Sequence, residues 1–135
     1  MAMDGSRVFF QTAFFQTLAI TGSPALAAET ITATLVIPQN IRADQRVYLF
    51  GWQAFTVGTS GTAITARIRQ TNASGTVVQS TGGVIAVATN LLAPTVIGSD
   101  APGLQGTFTY VLTLQVTAGA AVSTVSAVAL IALVV

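Results

Sequence analysis

The sequence contains no cysteine and no histidine, and its five basic residues include no lysine. Without thiolate or imidazole there is no disulfide framework, no Ser/His/Asp or Cys/His nucleophile, and no ordinary zinc, copper or haem site. Charge is scarce as well. Five arginines (Arg7, Arg42, Arg46, Arg67, Arg69) face four acids (Asp4, Glu29, Asp44, Asp100), so charged residues make up 7% of the chain against about 25% in an average soluble protein. A surface this poor in charge protects a free monomer badly against association. Uninterrupted apolar runs of the roughly 18 residues that a spanning helix needs are also missing, because Thr, Gln or Gly breaks each one. No membrane span is expected, and neither the strand number nor the aromatic girdles of an outer-membrane barrel are present.

What remains is apolar and β-patterned. Hydrophobic residues supply 52% of 135 positions, enough for one domain with one core. Residues 31–37 alternate, with Ile31, Ala33, Leu35 and Ile37 on one side and Thr30, Thr32 and Thr34 on the other, and Pro38 ends the run. Over residues 46–57, Tyr48, Phe50, Trp52 and Ala54 share one face while Val47, Leu49, Gly51 and Phe55 share the other. Apolar residues on both faces predict a central strand. After a turn at Gly58-Thr59-Ser60-Gly61, residues 62–70 place Ile64, Ala66 and Ile68 inward and Thr65, Arg67 and Arg69 outward, and Asn72-Ala73-Ser74-Gly75 reads as a hairpin connection. Short strands are expected at 76–79, 84–89 and 95–97, separated by Gly82-Gly83, Pro94 and the turn Asp100-Ala101-Pro102-Gly103.

The clearest strand covers 107–117, where Phe108, Tyr110, Leu112, Leu114 and Val116 oppose Thr107, Thr109, Thr113, Gln115 and Thr117. It is expected to pair, across Ala118-Gly119-Ala120, with a last strand at 122–135. The unbroken apolar run from Ala127 to Val135 predicts that this last strand is covered on both faces, with Val128, Leu130, Ile131, Leu133 and Val135 as core or interface positions. About eight strands spaced roughly 8 to 12 residues apart predict a single antiparallel jelly-roll sandwich over residues 27–135, all-β and without helices.

Residues 1–26 form the extended N-terminal arm or connector strand of this scheme. Arg7, the apolar stretch from Val8 to Ile20 and Ala25-Leu26-Ala27 imitate a signal peptide, but Gln11, Thr12, Gln16 and Thr17 interrupt it and Asp4 sits where basic residues belong. The tandem Phe9-Phe10-Gln11-Thr12 and Phe14-Phe15-Gln16-Thr17 puts phenylalanines on both sides of an extended strand. The segment is read either as the first strand of the jelly roll or as an arm added to a neighbour's sheet through Val8, Phe9, Phe10, Phe14, Phe15, Leu18 and Ile20, with Gly22-Ser23-Pro24 as hinge.

Nothing here composes an active site. The four acids form no carboxylate pair and no calcium loop, and turn formation is the expected role of Asp44 and Asp100. Arg67 and Arg69 are too few for a nucleic-acid surface and suit ion pairs with Glu29 or Asp100 across a subunit interface. Asn72-Ala73-Ser74 matches a glycosylation acceptor but stands where a turn wants Asn, and Trp52, Tyr48 and Tyr110 are expected in the core rather than in a sugar site. No enzyme activity, cofactor, metal or nucleic acid is expected.

The strand that reads Thr107-Phe108-Thr109-Tyr110-Val111-Leu112-Thr113-Leu114 after Pro102-Gly103, followed by the terminal Ser126-Ala127-Val128-Ala129-Leu130-Ile131-Ala132-Leu133, resembles the tumour-necrosis-factor-like heads of bacterial surface and spore-coat proteins. That resemblance implies a trimer whose last strands line the axis. In size and plan the chain also resembles the jelly-roll pilins of bacterial endospore appendages, though without their cysteines, which implies a fibre joined by N-terminal strand addition. The leading expectation is therefore a self-assembling fibre subunit on a cell or spore surface, whose partners are copies of itself and an anchoring surface protein. The alternatives are a viral or phage shell or decoration protein, located in the virion, and a closed trimeric binding head.

Overall fold

A computed structural model describes residues 7–21, 29–38, 40–57, 62–81, 84–86, 91–118 and 122–135. The hinge expected at Gly22-Ser23-Pro24, the turn at Gly58-Thr59-Ser60-Gly61, the Gly82-Gly83 break and the signal-peptide-like Ala25-Leu26-Ala27 lie outside the described residues. The described residues hold ten strands and no helix: β1 (Arg7–Thr21), β2 (Thr30–Ile37), β3 (Val47–Val57), β4 (Thr62–Gln70), β5 (Val77–Ser80), β6 (Val84–Ala86), β7 (Leu91–Leu92), β8 (Thr95–Asp100), β9 (Phe108–Ala118) and β10 (Val122–Val134). β8 continues three residues past the expected 95–97, and β7 was not expected.

The strands form two antiparallel sheets. One runs β1-β10-β3, with β7 and β8 sharing the far edge of β3; the other runs β2-β9-β4, with β5 and β6 sharing the far edge of β4. Counting each shared edge as one position, the ten segments occupy eight strand positions, and successive positions pass back and forth between the sheets as in a jelly roll, except at the hairpin from β4 to β5, which stays in one sheet. The all-β sandwich expected from strand spacing is the observed fold.

The crossing pattern corrects the expectation that 107–117 and the last strand form a hairpin. β9 pairs with β2 and β4, whereas β10 lies between β1 and β3 in the other sheet, so the chain changes sheets between Ala118 and Val122. Both strands are long and apolar on their inner faces, and each gains two flanking ladders by going to the centre of a different sheet. The hairpin at Asn72-Ala73-Ser74-Gly75 is present. Asn72 Oδ1 accepts from the Ser74 N–H at 2.8 Å, and the Gly75 N–H donates to Asn72 O at 2.9 Å. A Cβ at Gly75 would stand 1.7 Å from Gln70 O, so only glycine fits there. Thr71 is held at φ 68, an uncommon conformation for a β-branched residue, and its N–H donates to Thr109 O of β9 at 2.8 Å.

The core is a continuous layer between the sheets. β3 contributes Val47, Leu49 and Phe55; β4 contributes Ile64, Ala66 and Ile68; β9 contributes Tyr110, Leu112, Leu114 and Val116; β10 contributes Val128, Leu130, Ala132 and Val134. β2 departs from its sequence pattern. The β2–β9 register shifts between Ile31 and Ala33, which leaves Thr32 as an extra residue and turns it inward while Ile31 is exposed. A simple alternation had placed Ile31 inside and Thr32 outside.

The bulge has a purpose visible in its contacts. Thr32 Oγ1 lies 2.8 Å from Gln53 Oε1 and 3.1 Å from Leu112 O, and Gln53 Nε2 donates to Thr113 O at 3.2 Å. Gln53 is fully buried on β3, so its amide reaches across the sandwich and ties the first sheet to β2 and β9 of the second. At the opposite edge Tyr110 and Gln70 of the second sheet donate to Asp100 Oδ2 of β8, at 2.9 and 2.7 Å. Burial, the Asp100 charge and this hydrogen bond push the Tyr110 hydroxyl far above the ordinary phenol range, so it stays a donor.

Replacing Gln53 by Ala removes the side-chain donor to the Thr113 carbonyl and leaves the Thr32 hydroxyl with Leu112 O as its acceptor inside the core. The expected cost is about 1–3 kcal/mol, read as a lower urea midpoint with an unchanged slope.

Candidate assembly face

The two sheets present different outer surfaces, and the difference follows from which residues alternate with the core positions. On β3 the inward set is Val47, Leu49, Gly51, Gln53 and Phe55, so Tyr48, Phe50 and Trp52 point away from the core. Gly51 is part of the reason this face could be turned inward: a Cβ there would come within 2.9 Å of Leu112 Cδ1. On β10, Val128, Leu130, Ala132 and Val134 are buried, while Ile131 is half-buried and Leu133 and Val135 are exposed. The expectation that the last strand is covered on both faces is therefore met on one face only within this chain. The expectation that Tyr48 and Trp52 join the core is likewise corrected; of the three aromatic residues considered there, Tyr110 alone is fully buried.

Register joins these outward residues into rows. Ile97, Phe50 and Ile131 stand side by side across β8, β3 and β10, next to the row of Ser99, Tyr48 and Leu133 and the row of Thr95, Trp52 and Ala129. Tyr48 is 48% exposed, Phe50 40% and Ile97 64%. Among the described residues the charge on this face is confined to Arg46 at its rim, 3.5 Å from Ser99 Oγ. Contiguous apolar surface of this kind marks an interaction site rather than ordinary solvent exposure.

β1 extends the same sheet. In its ladder with β10 of the same chain, Val8 is opposite Leu133, Phe9 opposite Ala132, Phe10 opposite Ile131, Phe14 opposite Ala127, Leu18 opposite Val125 and Ile20 opposite Ser123; Phe15 falls in the register shift between Phe14 and Leu18. The side chains expected to serve an arm lie outside the described residues.

The second sheet closes its own outer surface. Glu29, immediately before β2, receives Arg69 Nε and Nη2, each at 2.6 Å, together with Arg67 Nη1 and the Thr113 hydroxyl, the latter at 2.9 Å. Arg67 also donates to Gln115 Oε1 at 2.8 Å, and Arg69 to Gly75 O at 2.7 Å. Under these side chains Val111, Thr113 and Thr65 are buried although they alternate with the core positions. The ion pairs expected across a subunit interface thus form within one chain. Asp100 takes no part in them, being engaged by Tyr110 and Gln70. Spacing alone put Arg67 and Arg69 on one face; the approach of Glu29 depends on the β2–β9 register, which the sequence does not display.

Burial pushes the Glu29 carboxyl up, but the hydrogen bonds from Arg69 and Thr113 and the charges of Arg67 and Arg69 outweigh it and hold the group below the ordinary carboxylate range. Exposed Asp44 is also lowered, by its hydrogen bond from Arg42 at 3.2 Å. Every described carboxylate is therefore occupied: Glu29 by two guanidinium groups, Asp44 by Arg42, and Asp100 by Tyr110 and Gln70. Among the described residues no group of three acids gathers as a metal site.

No protein-family model and no curated protein matches the chain. Solved structures do. A chain in the structure of infectious bursal disease virus, Gx strain, superposes with a TM-score of 0.58 at 19% identity, over 98% of this chain and 32% of that one. A chain of T=1 particles derived from infectious bursal virus superposes with a TM-score of 0.57 at 14% identity, over 96% of this chain and 36% of that one. The present chain spans about a third of the length of these viral chains, and what it shares with them is the fold.

Because the Glu29 pKa is lower in the folded than in the unfolded chain, its contribution to stability is complete above the unfolded value of about 4.3 and is lost as pH falls through the folded value. Glu29→Gln is expected to cost about 1–3 kcal/mol at neutral pH. It should also flatten the fall in stability between neutral and acid pH, as followed by urea titration across that range.

Proposed function

We propose that this chain is a non-catalytic structural subunit that assembles with copies of itself into a closed shell of the virus-particle kind. The observation that carries the reading is the fold: chains from virus structures superpose on this two-sheet sandwich over nearly the whole of the chain. Composition supports it independently, since a sequence with 7% charged residues and a sheet face rich in exposed apolar residues is better suited to burial among copies than to life as a monomer.

The absence of enzyme chemistry belongs to the same reading. The chain has neither histidine nor cysteine, and among the described residues each side-chain carboxylate is held by donors of its own chain, which argues against a general acid or base there. A shell also accounts for the apolar surface without an anchoring surface protein, which a fibre on a cell or spore would require. The fold likeness favours the virion over the cell or spore surface and the shell over the pilus-like filament.

The purified full-length chain is expected to form round particles of uniform diameter in negative-stain electron microscopy, with a matching mass by light scattering. Filaments that vanish when residues 1–20 are removed would instead establish an arm-linked fibre. Monomers at all concentrations would refute self-assembly.

A further inference from the structure

We propose that the outer face of the β1-β10-β3-β8 sheet is the contact between copies, and that the same face of a second chain packs on it sheet against sheet. The inference rests on the self-assembly reading and adds to it the surface and its occupant.

The two outer faces of the sandwich are not equivalent. The middle of the β2-β9-β4 sheet is covered from within, although Ile31, Val36 and Val77 stay exposed on β2 and β5: Glu29, Arg67, Arg69 and Gln115 lie over it, and the outward-facing Val111 and Thr113 beneath them have almost no solvent contact. A partner on that side would meet a network of satisfied charges whose desolvation opposes binding. Among the described residues nothing covers the β10-β3-β8 part of the other sheet in this way. Its rows of Ile97, Phe50, Ile131 and of Tyr48, Leu133 are apolar, contiguous and open.

Size and charge point to a second copy as occupant. β3 has 11 residues and β10 has 13, so four strands about 4.8 Å apart with a rise of about 3.3 Å per residue make a face of about 700 Å². That is close to the roughly 800 Å² per partner in a specific interface of standard size. Since the charge on the described part of the face is confined to Arg46 at its rim, the apolar rows of two identical faces meet without like-charge repulsion, as a two-fold contact requires of a self-complementary surface. Packing at about 10 Å between sheets is the ordinary geometry for two such faces.

The test compares matched pairs of substitutions in the full-length chain. Phe50→Glu with Ile97→Glu places charge on the proposed contact, and Val36→Glu with Val77→Glu places it on exposed positions of the other sheet. Sedimentation velocity over a concentration series reads assembly, and far-ultraviolet circular dichroism confirms that each variant is folded. The first pair is expected to raise the concentration for half-assembly at least tenfold, and the second to change it less than twofold. Equal assembly by wild type and the Phe50/Ile97 variant overturns the contact while leaving self-assembly intact, as does equal loss in both pairs. A monomeric wild type overturns both.

A footprint supplies a readout that does not depend on tolerance of the glutamates. The chain has no native cysteine, so Ile97→Cys and Val36→Cys each report one position. Maleimide should alkylate Ile97→Cys at least tenfold more slowly in assembled than in dissociated protein, and Val36→Cys at similar rates in both. Equal rates for Ile97→Cys in the two states overturn the contact.

Discussion

A strand has two faces, and this sandwich has one core. The pleat sends alternate residues to opposite sides, and in β3 and β10 both sets are rich in apolar residues. One set fills the space between the sheets. The other must either face water or be covered by something else, and the rest of the molecule is arranged around that division. The second sheet resolves the same problem internally, by laying arginine stems and a buried carboxylate over its outer surface. The first sheet does not, and there the chain's scarcity of charge is concentrated.

Much of this was legible in the residues. Alternation of period two over 31–37, 62–70 and 107–117 located β2, β4 and β9, and the turn chemistry of Asn72-Ala73-Ser74-Gly75 located a hairpin. Spacing of strands gave the sandwich. Pairing was less visible, because a short connection such as that between β9 and β10 reads as a hairpin unless the chain's need to fill two separate sheets is known. The bulge at Thr32 was hidden for a related reason: its value lies in a hydrogen bond to Gln53, 21 residues away, and no local pattern reports that.

The faces show the same limit. Both sets of β3 are apolar, so hydrophobicity alone did not say which was inside. The decision was made by shape, since Gly51 lets β3 approach Leu112 and Ile68 closely while Tyr48, Phe50 and Trp52 fit only outside. Arg67 and Arg69 were rightly placed on one face, yet their partner arrives from just before β2, through a register that sequence spacing does not encode.

The position of β10 has a consequence for the timing of folding. It lies between β1 and β3, so strands from the beginning, middle and end of the chain complete the first sheet together. Contacts so distant along the chain form slowly and late. A chain in which β10 has not yet docked therefore has no continuous outer face on this sheet. The surface best able to cause premature aggregation comes into being only with the fold that buries its opposite side, so that the apolar face and the core are completed in one event.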